Sequence, residues 1–412
     1  MNKRKALFKK LRDEEYTILA PDMLPIHFNL LQKVLEKMHY KLVIVSPHGR
    51  EAKDEGLRSI HNDACYPALI VAGQFIAELK SGKYDLNKTA VIMSQTGGGC
   101  RASNYISLFR KTFKEQFPTV PVLSLNFSGL EKDASFPFTL GFIRRAIKAI
   151  QYGDLIMALQ NQTEPYESRK GEIKELTNKV LDHLKSLMDK GGFYDVKKNL
   201  QCIMDQYLPY KNKGEAKPKV AVVGEIYVKY SPYANNNLTE YLLNQECEPV
   251  YPSLSEFLLY CIFNIINDYR LYGYGKIASR VAKIIYNYYL KQTRKLNKIL
   301  VDNGFMPYED FEYVIKEGER VISLGVKMGE GWLIPAEMLA YSDHNIKNIV
   351  CAQPFGCLPN HIVGKGMVRP LKRLSPDINI VPLDFDASST EVNQENRLKL
   401  MLANMKQNRD NN

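Results

Sequence analysis

TILAPDMLPIHFNLLQKVLEKMHYKLVIV, at residues 17–45, is the most informative segment of the chain for its fold. Residues 17–20 form a short apolar run that ends at Pro21. The apolar residues that follow recur at the spacing of an amphipathic helix with one buried side, namely Leu24, Phe28, Leu31, Leu35 and Met38. Residues 42–45 are continuously apolar, as is typical of a parallel strand buried on both faces. The segment therefore predicts a β-α-β unit.

The same alternation continues on both sides of a polar segment in the middle of the chain. Further strands are predicted at residues 89–93, 121–125, 219–223, 249–251, 348–352 and 378–383, with helical segments between them. Strands that alternate with helices indicate parallel, doubly wound sheets. The polar segment KNKGEAKPK, at residues 211–219, predicts a lobe boundary. We therefore expect an N-terminal α/β lobe with a helical extension at residues 1–212 and a C-terminal α/β lobe at 213–412.

Composition and charge exclude several classes of protein. The chain has 412 residues, more than one ordinary hydrophobic core holds, and 25% of them are charged. No apolar run is long enough to predict a membrane span, and residues 1–12 are basic without the apolar core of a secretory signal. The net charge is +11, but no nucleic-acid-binding module is recognisable. We expect a cytoplasmic protein that binds neither membrane nor nucleic acid, although a basic groove would suit an acidic small molecule such as coenzyme A.

Four of the seven cysteines lie beside predicted strand-to-helix turns: Cys65, Cys100, Cys351 and Cys357. The carboxyl edge of an open α/β sheet is where such folds bind ligands. A helix N-terminus lowers the pKa of a thiol, and the thiolate is the form that binds metal. The glycines at 97–99, just before Cys100, would let backbone N–H groups approach a sulfur or an anion. These four cysteines are therefore the candidate metal ligands.

The other candidates are weaker. Cys261 lies in the apolar run 257–263 and is expected to be a packing residue, while Cys202 and Cys247 have no Gly or Pro beside them. Glu225, Arg101 and His361 would lie near the same edge, but a helix cap or solvent role is the favoured interpretation of Glu225, an ordinary histidine that of His361, and a helix-surface arginine is the alternative for Arg101. A structural zinc site usually has two close cysteine pairs, and this chain has one. Dispersed cysteines at loop tips fit an iron–sulfur cluster between lobes better.

Long motifs around these cysteines carry a resemblance to a known family. They are NDACYPALIVAGQ (62–74), QTGGGCRASNY (95–105), the stretch 152–167, VGEIYVKYSPYANNN (223–237), QPFGCLPNHIVGKG (353–366) and the closing segment 384–397, with Ser389, Glu391, Val392, Asn393 and Asn396. The chain resembles the 2-hydroxyacyl-CoA dehydratase family over nearly its whole length. The similar branch is the one related to acyl-CoA dehydratase activases and double-cubane cluster proteins.

The resemblance implies two Rossmann-like (flavodoxin-like) lobes with parallel sheets and a helical connecting region. It implies an iron–sulfur cluster, 4Fe-4S or double-cubane, with Cys65, Cys100 and Cys357 as ligands and Cys351 as a fourth. A double cubane needs about six thiolates, so Cys202 or Cys247 would have to join. The resemblance also implies low-potential electron transfer in anaerobic metabolism, used in relatives to remove water from a 2-hydroxyacyl-CoA.

The partners that the resemblance implies are an ATP-dependent activase as electron donor and an acyl-CoA or other small-molecule substrate; it is compatible with a homodimer. No Gly-x-x-x-x-Gly-Lys-Ser/Thr sequence is present, so the chain resembles the electron-accepting half alone, without ATPase activity of its own. Catalytic residues stay unassigned. The alternative is a non-catalytic, two-lobed small-ligand-binding protein with structural thiols or zinc.

Overall fold

The computed structural model of the protein contains two sheets of four parallel strands each. The described residues are 3–45, 49–61, 64–95, 99–126, 136, 139–211, 214–388 and 391–410. The first sheet consists of β1 (Thr17–Pro21), β2 (Lys41–Val45), β3 (Thr89–Gln95) and β4 (Val122–Asn126). The second sheet consists of β5 (Lys219–Gly224), β6 (Glu248–Val250), β7 (Asn348–Pro354) and β8 (Asn379–Phe385).

Helices connect the strands and cover the faces of both sheets. The helices before the second sheet are α1 (Lys3–Asp13), α2 (Pro25–Glu36), α3 (Gly49–Ser59), α4 (Tyr66–Lys80), α5 (Tyr105–Gln116), α6 (Leu140–Thr163), α7 (Glu172–Lys190) and α8 (Val196–Tyr207). Those that follow are α9 (Ile226–Tyr230), α10 (Leu238–Asn244), α11 (Leu254–Tyr272), α12 (Lys276–Asp302), α13 (Phe311–Val321), α14 (Leu333–Asp343), α15 (Leu358–Val363), α16 (Val368–Leu374) and α17 (Glu391–Asp410). In the described ranges, no helix is both long and apolar enough to cross a membrane.

The two sheets have the same topology. The strand order is β2-β1-β3-β4 in the first sheet and β6-β5-β7-β8 in the second. In each case the chain reverses its direction of winding after the second strand, so the first and third strands lie side by side at the centre. This is the doubly wound, flavodoxin-like order, in which ligands bind at the carboxyl ends of the central strands. The predicted α/β fold with two Rossmann-like lobes is confirmed.

The lobes pack against each other through one continuous apolar core. That core joins α4 and α5 of the first lobe to β5, α9 and α10 of the second. Two tyrosine hydroxyls bridge it: Tyr66 donates to the carbonyl of Ala234 at 2.8 Å, and Tyr227 donates to Oε1 of Gln74 at 3.1 Å. Both hydrogen bonds are buried. The carboxyl edges of the two sheets are therefore held in a defined relation.

A buried carboxylate also links the two halves of the chain. Asp154, on α6, accepts hydrogen bonds from the backbone N–H of Leu254 at 2.9 Å and of Ser255 at 3.2 Å, at the start of α11. Its Oδ1 also lies 2.9 Å from Nε2 of His27 on α2, and its Oδ2 accepts from the Ser255 hydroxyl. The first N–H groups of a helix have no partner within the helix. Asp154 therefore caps α11 from outside and joins α2, α6 and α11.

The helices α11 and α12 form a long antiparallel hairpin whose inner side packs on α13 and α14. Trp332, the single tryptophan of the chain, lies fully buried in this cluster. Its indole N–H donates to Oδ1 of Asn264 at 3.1 Å, and its ring centroid is 5.2 Å from that of Tyr260. Both partners belong to α11, so Trp332 anchors the hairpin to the second lobe.

Candidate functional site

Three of the four candidate cysteines occupy the same structural position. Cys65 is the residue that caps α4, Cys357 caps α15, and Cys100 caps the short 3-10 turn Arg101–Ser103 that precedes α5. Proline is the second residue of α4 and of α15 (Pro67 and Pro359), in the first turn, where a missing N–H costs nothing. Each thiol therefore lies where unpaired backbone N–H groups and the helix dipole favour a negative charge.

The structure brings these three thiols together from different loops of the two lobes. Cys65 and Cys100 belong to the first lobe, on either side of β3, and Cys357 follows β7 of the second lobe. Cys65 interacts electrostatically with both Cys100 and Cys357. In the part of the chain that the structure describes, no three His, Cys, Asp or Glu side chains already have the spacing of a metal site. The thiols thus share one region without a closed ligand set.

Hydrogen-bond donors surround two of the thiols. Burial raises the pKa of Cys65 to about 12, although the hydroxyl of Tyr105 donates to its sulfur and opposes the rise. Burial also raises the pKa of Cys100. The N–H of Ala102 donates a hydrogen bond to that sulfur and lowers the pKa in part. Arg101 is exposed, and its charge lowers the pKa of both thiols. Donors of this kind stabilise negative sulfur, so the surroundings are suited to thiolate once a cation offsets the desolvation.

Cys357 has a comparable environment in the second lobe. Burial raises its pKa well above the usual thiol value, and the N–H of Asn360 donates to its sulfur. The side chain of Asn360 is fully buried, and neither its Oδ1 nor its Nδ2 has a hydrogen-bond partner among the described residues. Buried polar atoms are almost always paired in native proteins. The Asn360 amide lies one helical turn from the candidate ligand Cys357. An unpaired amide there is expected if a further polar group binds at this site and completes its hydrogen bonds.

Two carboxylates face the thiols, and one of them was not expected from the sequence. Glu225 directly follows β5 and caps α9 through the N–H of Val228, at 2.8 Å. Glu330 lies in the loop between α13 and α14, and its Oε1 accepts from the N–H of Ile226 at 3.0 Å. Burial and the Glu330 charge raise the pKa of Glu225 to about 8, and burial raises the pKa of Glu330. Both carboxyls also raise the thiol pKa of Cys100 and Cys357.

The loop that carries Glu330 is held in place from two sides. The hydroxyl of Tyr260, on α11, donates to the carbonyls of Lys327 at 3.1 Å and Gly329 at 3.0 Å. On the other side, the N–H of Gly99 lies 3.1 Å from the sulfur of Met328, and a Cβ at position 99 would lie 2.6 Å from that sulfur. A side chain at position 99 would therefore displace the Met328 side chain where this loop meets the Cys100 turn.

Cys351 does not join the other three cysteines. It is the fourth residue of β7 and lies fully buried in the apolar core of the second lobe. Burial and the neighbouring Glu337 raise its pKa to about 12. A Cβ at Gly364 would lie 3.0 Å from its sulfur, so α15 packs directly over it. The expected position at a strand-to-helix turn is not observed, because β7 continues past it to Pro354.

The structure describes His361 and the other three cysteines, whereas a few residues of the motifs lie outside the described ranges. His361 contacts Asp384, with Nε2 3.3 Å from Oδ1. Cys202 and Cys261 are exposed, and Cys247 is buried; the packing role expected for Cys261 in the core is therefore not observed. Residues 62, 63, 96, 97, 98, 389 and 390 of the family-like motifs lie outside the described residues.

No protein-family model matches the chain, and a search of curated proteins finds none similar to it.

Proposed function

We propose that this chain is a cytoplasmic iron–sulfur protein of the 2-hydroxyacyl-CoA dehydratase type, which accepts low-potential electrons from an ATP-dependent activase for a reductive or dehydration reaction. The observation that carries the proposal is that Cys65, Cys100 and Cys357 each begin a helical segment, and that the Cys65 thiol is close enough to the other two to interact electrostatically with them. The family resemblance of the motifs around them supports the same conclusion.

The residues present fit an iron–sulfur cluster better than an isolated metal ion. Cysteine thiolates are the usual ligands of such clusters, and hydrogen bonds to sulfur tune their reduction potential. Here Tyr105 donates to Cys65, and the N–H groups of Ala102 and Asn360 donate to Cys100 and Cys357 respectively. The cluster, when bound, would supply the low-potential electron. Three protein ligands would leave one position of a four-iron cluster open to a substrate.

The chain's own groups would bind and shield what lies at this site. Arg101, exposed beside Cys100, is placed to attract the negative charge of a thioester substrate's phosphates. Glu225, with a pKa of about 8, would keep its proton at neutral pH, so that a neutral carboxylic acid faces the thiols there. The loop of Gly329 and Glu330, held by Tyr260 and by the N–H of Ile226, would form the wall of the site on the side of α11.

A second candidate is the two-lobed small-ligand-binding protein, and one cavity favours it. A cavity of about 420 Å³ lies between α2, α6 and α7 on one side and residues 230–251 on the other. His27 and Asn29 are among its lining residues, and the buried His27 Nδ1 and Asn29 Oδ1 have no hydrogen-bond partner among the described residues. The three converging thiols are not part of its lining. A protein that needs only this cavity would bind no iron.

Anaerobic reconstitution with iron and sulfide, followed by iron and acid-labile sulfide analysis, tests the proposal. We expect a brown protein whose visible absorbance bleaches with dithionite, because thiolate-to-iron charge transfer causes the colour. Cys65→Ala, Cys100→Ala and Cys357→Ala should each lose most of the iron.

Two control variants make the result specific. Cys202→Ala changes an exposed thiol on α8, and Cys351→Ala changes a thiol in the core of the second lobe. Both should keep their iron, with circular dichroism confirming that each variant is folded. Stoichiometric zinc without iron would favour a zinc-stabilised scaffold, and a colourless, metal-free protein would favour the small-ligand-binding candidate. Equal iron loss in the folded Cys202 variant would remove the assignment of specific ligands.

A further inference from the structure

Three charged side chains meet in the core of the second lobe, away from solvent. Lys229 of α9 and Glu337 of α14 are each 2% exposed, and Glu256 of α11 is 4% exposed. Nζ of Lys229 lies 3.4 Å from Oε1 of Glu337, and the carboxyls of Glu256 and Glu337 hydrogen-bond to each other. Because buried charge is costly unless it is balanced, a group of this kind is expected to be neutral as a whole.

The hydrogen bond within this carboxyl pair, Glu256 and Glu337, requires a proton. An ionised carboxylate only accepts hydrogen bonds, whereas a protonated carboxyl also donates one. No donor group of the described residues reaches Oε1 of Glu256 or Oε2 of Glu337. One proton shared by the pair makes the bond and leaves a single negative charge, which Lys229 balances. Burial raises the pKa of both carboxyls, in agreement with a proton that is held at neutral pH.

A route for protons leads from the carboxyl pair to the surface. Glu256 and Glu309 both line a small cavity of about 20 Å³. A water molecule needs about 10–15 Å³ of such space, so the cavity has room for one. Oε2 of Glu309 lies 2.7 Å from Nδ1 of His344, whose side chain is 54% exposed. Imidazole readily passes protons at neutral pH, so His344 and Glu309 connect the cavity to bulk water.

Other titratable groups face the carboxyl pair from the elements packed around it. They are Lys229, Tyr230, Tyr308, Glu309, Glu330, Tyr341 and Cys351. Burial raises the pKa of the three tyrosines and of the cysteine, so these groups stay neutral near pH 7. The charges that act on the pair therefore belong to the lysine and the two glutamates.

Glu330 links the carboxyl pair electrostatically to the thiols. Its charge acts on Glu337 on one side and on Cys100 and Cys357 on the other. A unit charge about 10 Å away changes a proton-binding constant roughly tenfold at the effective dielectric constant of a protein interior. Negative charge that arrives at the thiols should therefore increase the proton affinity of the pair.

We propose that the carboxyl pair is a proton-exchange site, which takes up one proton from bulk water through His344 and Glu309 when negative charge arrives at the thiols. In this step one proton moves from water to the pair, both carboxyls become neutral, and no other bond forms or breaks. The positive charge of Lys229 then offsets the charge at the thiols. The shared proton does not depend on the proposed iron–sulfur function, whereas its coupling to charge at the thiols rests on it.

Infrared spectroscopy of the iron-free chain near neutral pH tests the shared proton. The native spectrum should contain the C=O band of a protonated carboxyl that is lost in Glu256→Gln, whose amide still donates a hydrogen bond to Glu337 and so preserves the packing. Glu395→Gln, at a carboxyl on α17 that is 43% exposed, is the matched control and should keep the band. After transfer to D2O, the band should shift at least about tenfold more slowly in Glu309→Leu, because leucine transfers no proton.

Urea unfolding of the iron-free chain counts the same proton. A glutamate of the unfolded chain titrates near 4.5, so above that pH folding takes up the proton that the carboxyl pair holds. Each unit of pH should therefore lower the folding constant about tenfold more in the native chain than in Glu256→Gln. The Glu395→Gln control should follow the native chain. An equal dependence in the native chain and in Glu256→Gln would overturn the shared proton.

Redox titration of the iron-loaded chain at several pH values tests the coupling. The midpoint potential of the native chain should fall as the pH rises around neutrality, because reduction takes up a proton, and the fall should be smaller in Glu256→Gln. The same slope in both iron-loaded chains would overturn the coupling. Absence of the carboxyl band would overturn the proton site whether or not iron binds. A chain that binds no iron would contradict the proposed function and with it the coupling, while the infrared result would still decide the shared proton.

Discussion

Asp22, which directly follows β1, has a carboxyl group in an unfavourable environment. Its Oδ1 is buried and has no hydrogen-bond partner among the described residues. Burial raises the pKa of Asp22 to about 6, although the N–H of Met23 opposes the rise. In the unfolded chain the same group would titrate near 3.8. Folding therefore favours the protonated form of this side chain.

The pKa of Asp22 predicts the sign of a pH effect on stability. Well below pH 3.8 the group is protonated in both states and costs nothing. As the pH rises from 3.8 through 6 the unfolded chain ionises first, so the folded state loses stability until it too holds a carboxylate, which is then buried. Asp22→Asn should therefore gain stability over the native protein between pH 4 and pH 7, by on the order of 2 kcal/mol. Urea unfolding at several pH values measures this difference. Asp182→Asn, at a largely exposed side chain on α7, should show no such trend; a parallel trend in both variants would refute the assignment.

Single residues also show why some site positions were predictable and others were not. Cys65 and Cys357 each lie two residues before a proline, and Cys100 follows a run of glycines, so local sequence alone indicates a turn at each. Glu330 has no such signal, because it reaches Ile226 from a loop more than 100 positions away. Cys351 was expected at a strand end because the apolar run stops at residue 352. Pairing of Pro354 with Phe385 extends β7 by two residues and leaves Cys351 inside the strand.

At the scale of helices, α3 and α4 cross at a contact that only glycine permits. A Cβ at Gly73 of α4 would lie 1.7 Å from the carbonyl oxygen of Ala52, and one at Gly56 of α3 would lie 2.1 Å from that of Leu69. Both obstacles are backbone atoms, which cannot rotate away. The two helices can therefore remain in contact only while both positions lack side chains, and Cys65 lies just before α4.

Glycine-to-alanine substitutions at Gly73, in this crossing, and at Gly141, outside it, should change the free energy of unfolding in opposite directions. Gly73→Ala should force α3 and α4 apart and lower the free energy of unfolding by about 2 kcal/mol or more, as overpacking does. At Gly141, near the start of α6, an added Cβ would contact only the end of the Arg145 side chain, at 3.8 Å. Gly141→Ala should therefore raise the free energy of unfolding by up to about 1 kcal/mol, because alanine favours the helix. Chemical denaturation of the two variants measures the difference. A neutral Gly73→Ala would mean that the helices can slide apart without cost.

The positions of the strands were the most predictable feature of the fold. Each observed strand overlaps the predicted one, with ends that differ by one or two residues, because parallel strands buried on both faces are continuously apolar. The outer surface of α11 was not predictable in the same way. Its apolar run 257–263 indicated a core helix around Cys261, yet the helical turn directs Leu259 and Tyr260 inward and Cys261 outward. Periodicity alone does not show which side of an apolar helix meets its own chain.

At the scale of the whole molecule, Asp154 determines how firmly α11 is joined to the first lobe. Asp154→Asn would keep the shape of the side chain but remove a buried charge that accepts from Leu254, Ser255 and His27. We expect a loss of about 3 kcal/mol or more in unfolding free energy, because the donors lose their charged acceptor. Ser255→Ala removes one donor and should cost about 1 kcal/mol. Equal losses in denaturant unfolding would show that the hydroxyl, not the carboxylate, makes the link.

The single tryptophan is an intrinsic fluorescence probe that reports on one part of the molecule. Trp332 is fully buried in the second lobe, and its backbone N–H donates to Val326 at 2.7 Å, within the loop that leads to Glu330. The chain also contains 25 tyrosines, whose excitation energy can pass to this one indole. Emission excited near 295 nm therefore reports on the second lobe, the hairpin anchor and the loop beside the thiols. Circular dichroism instead averages over the helices and strands of both lobes, so a fluorescence melting curve and a circular dichroism curve describe different parts of the same chain.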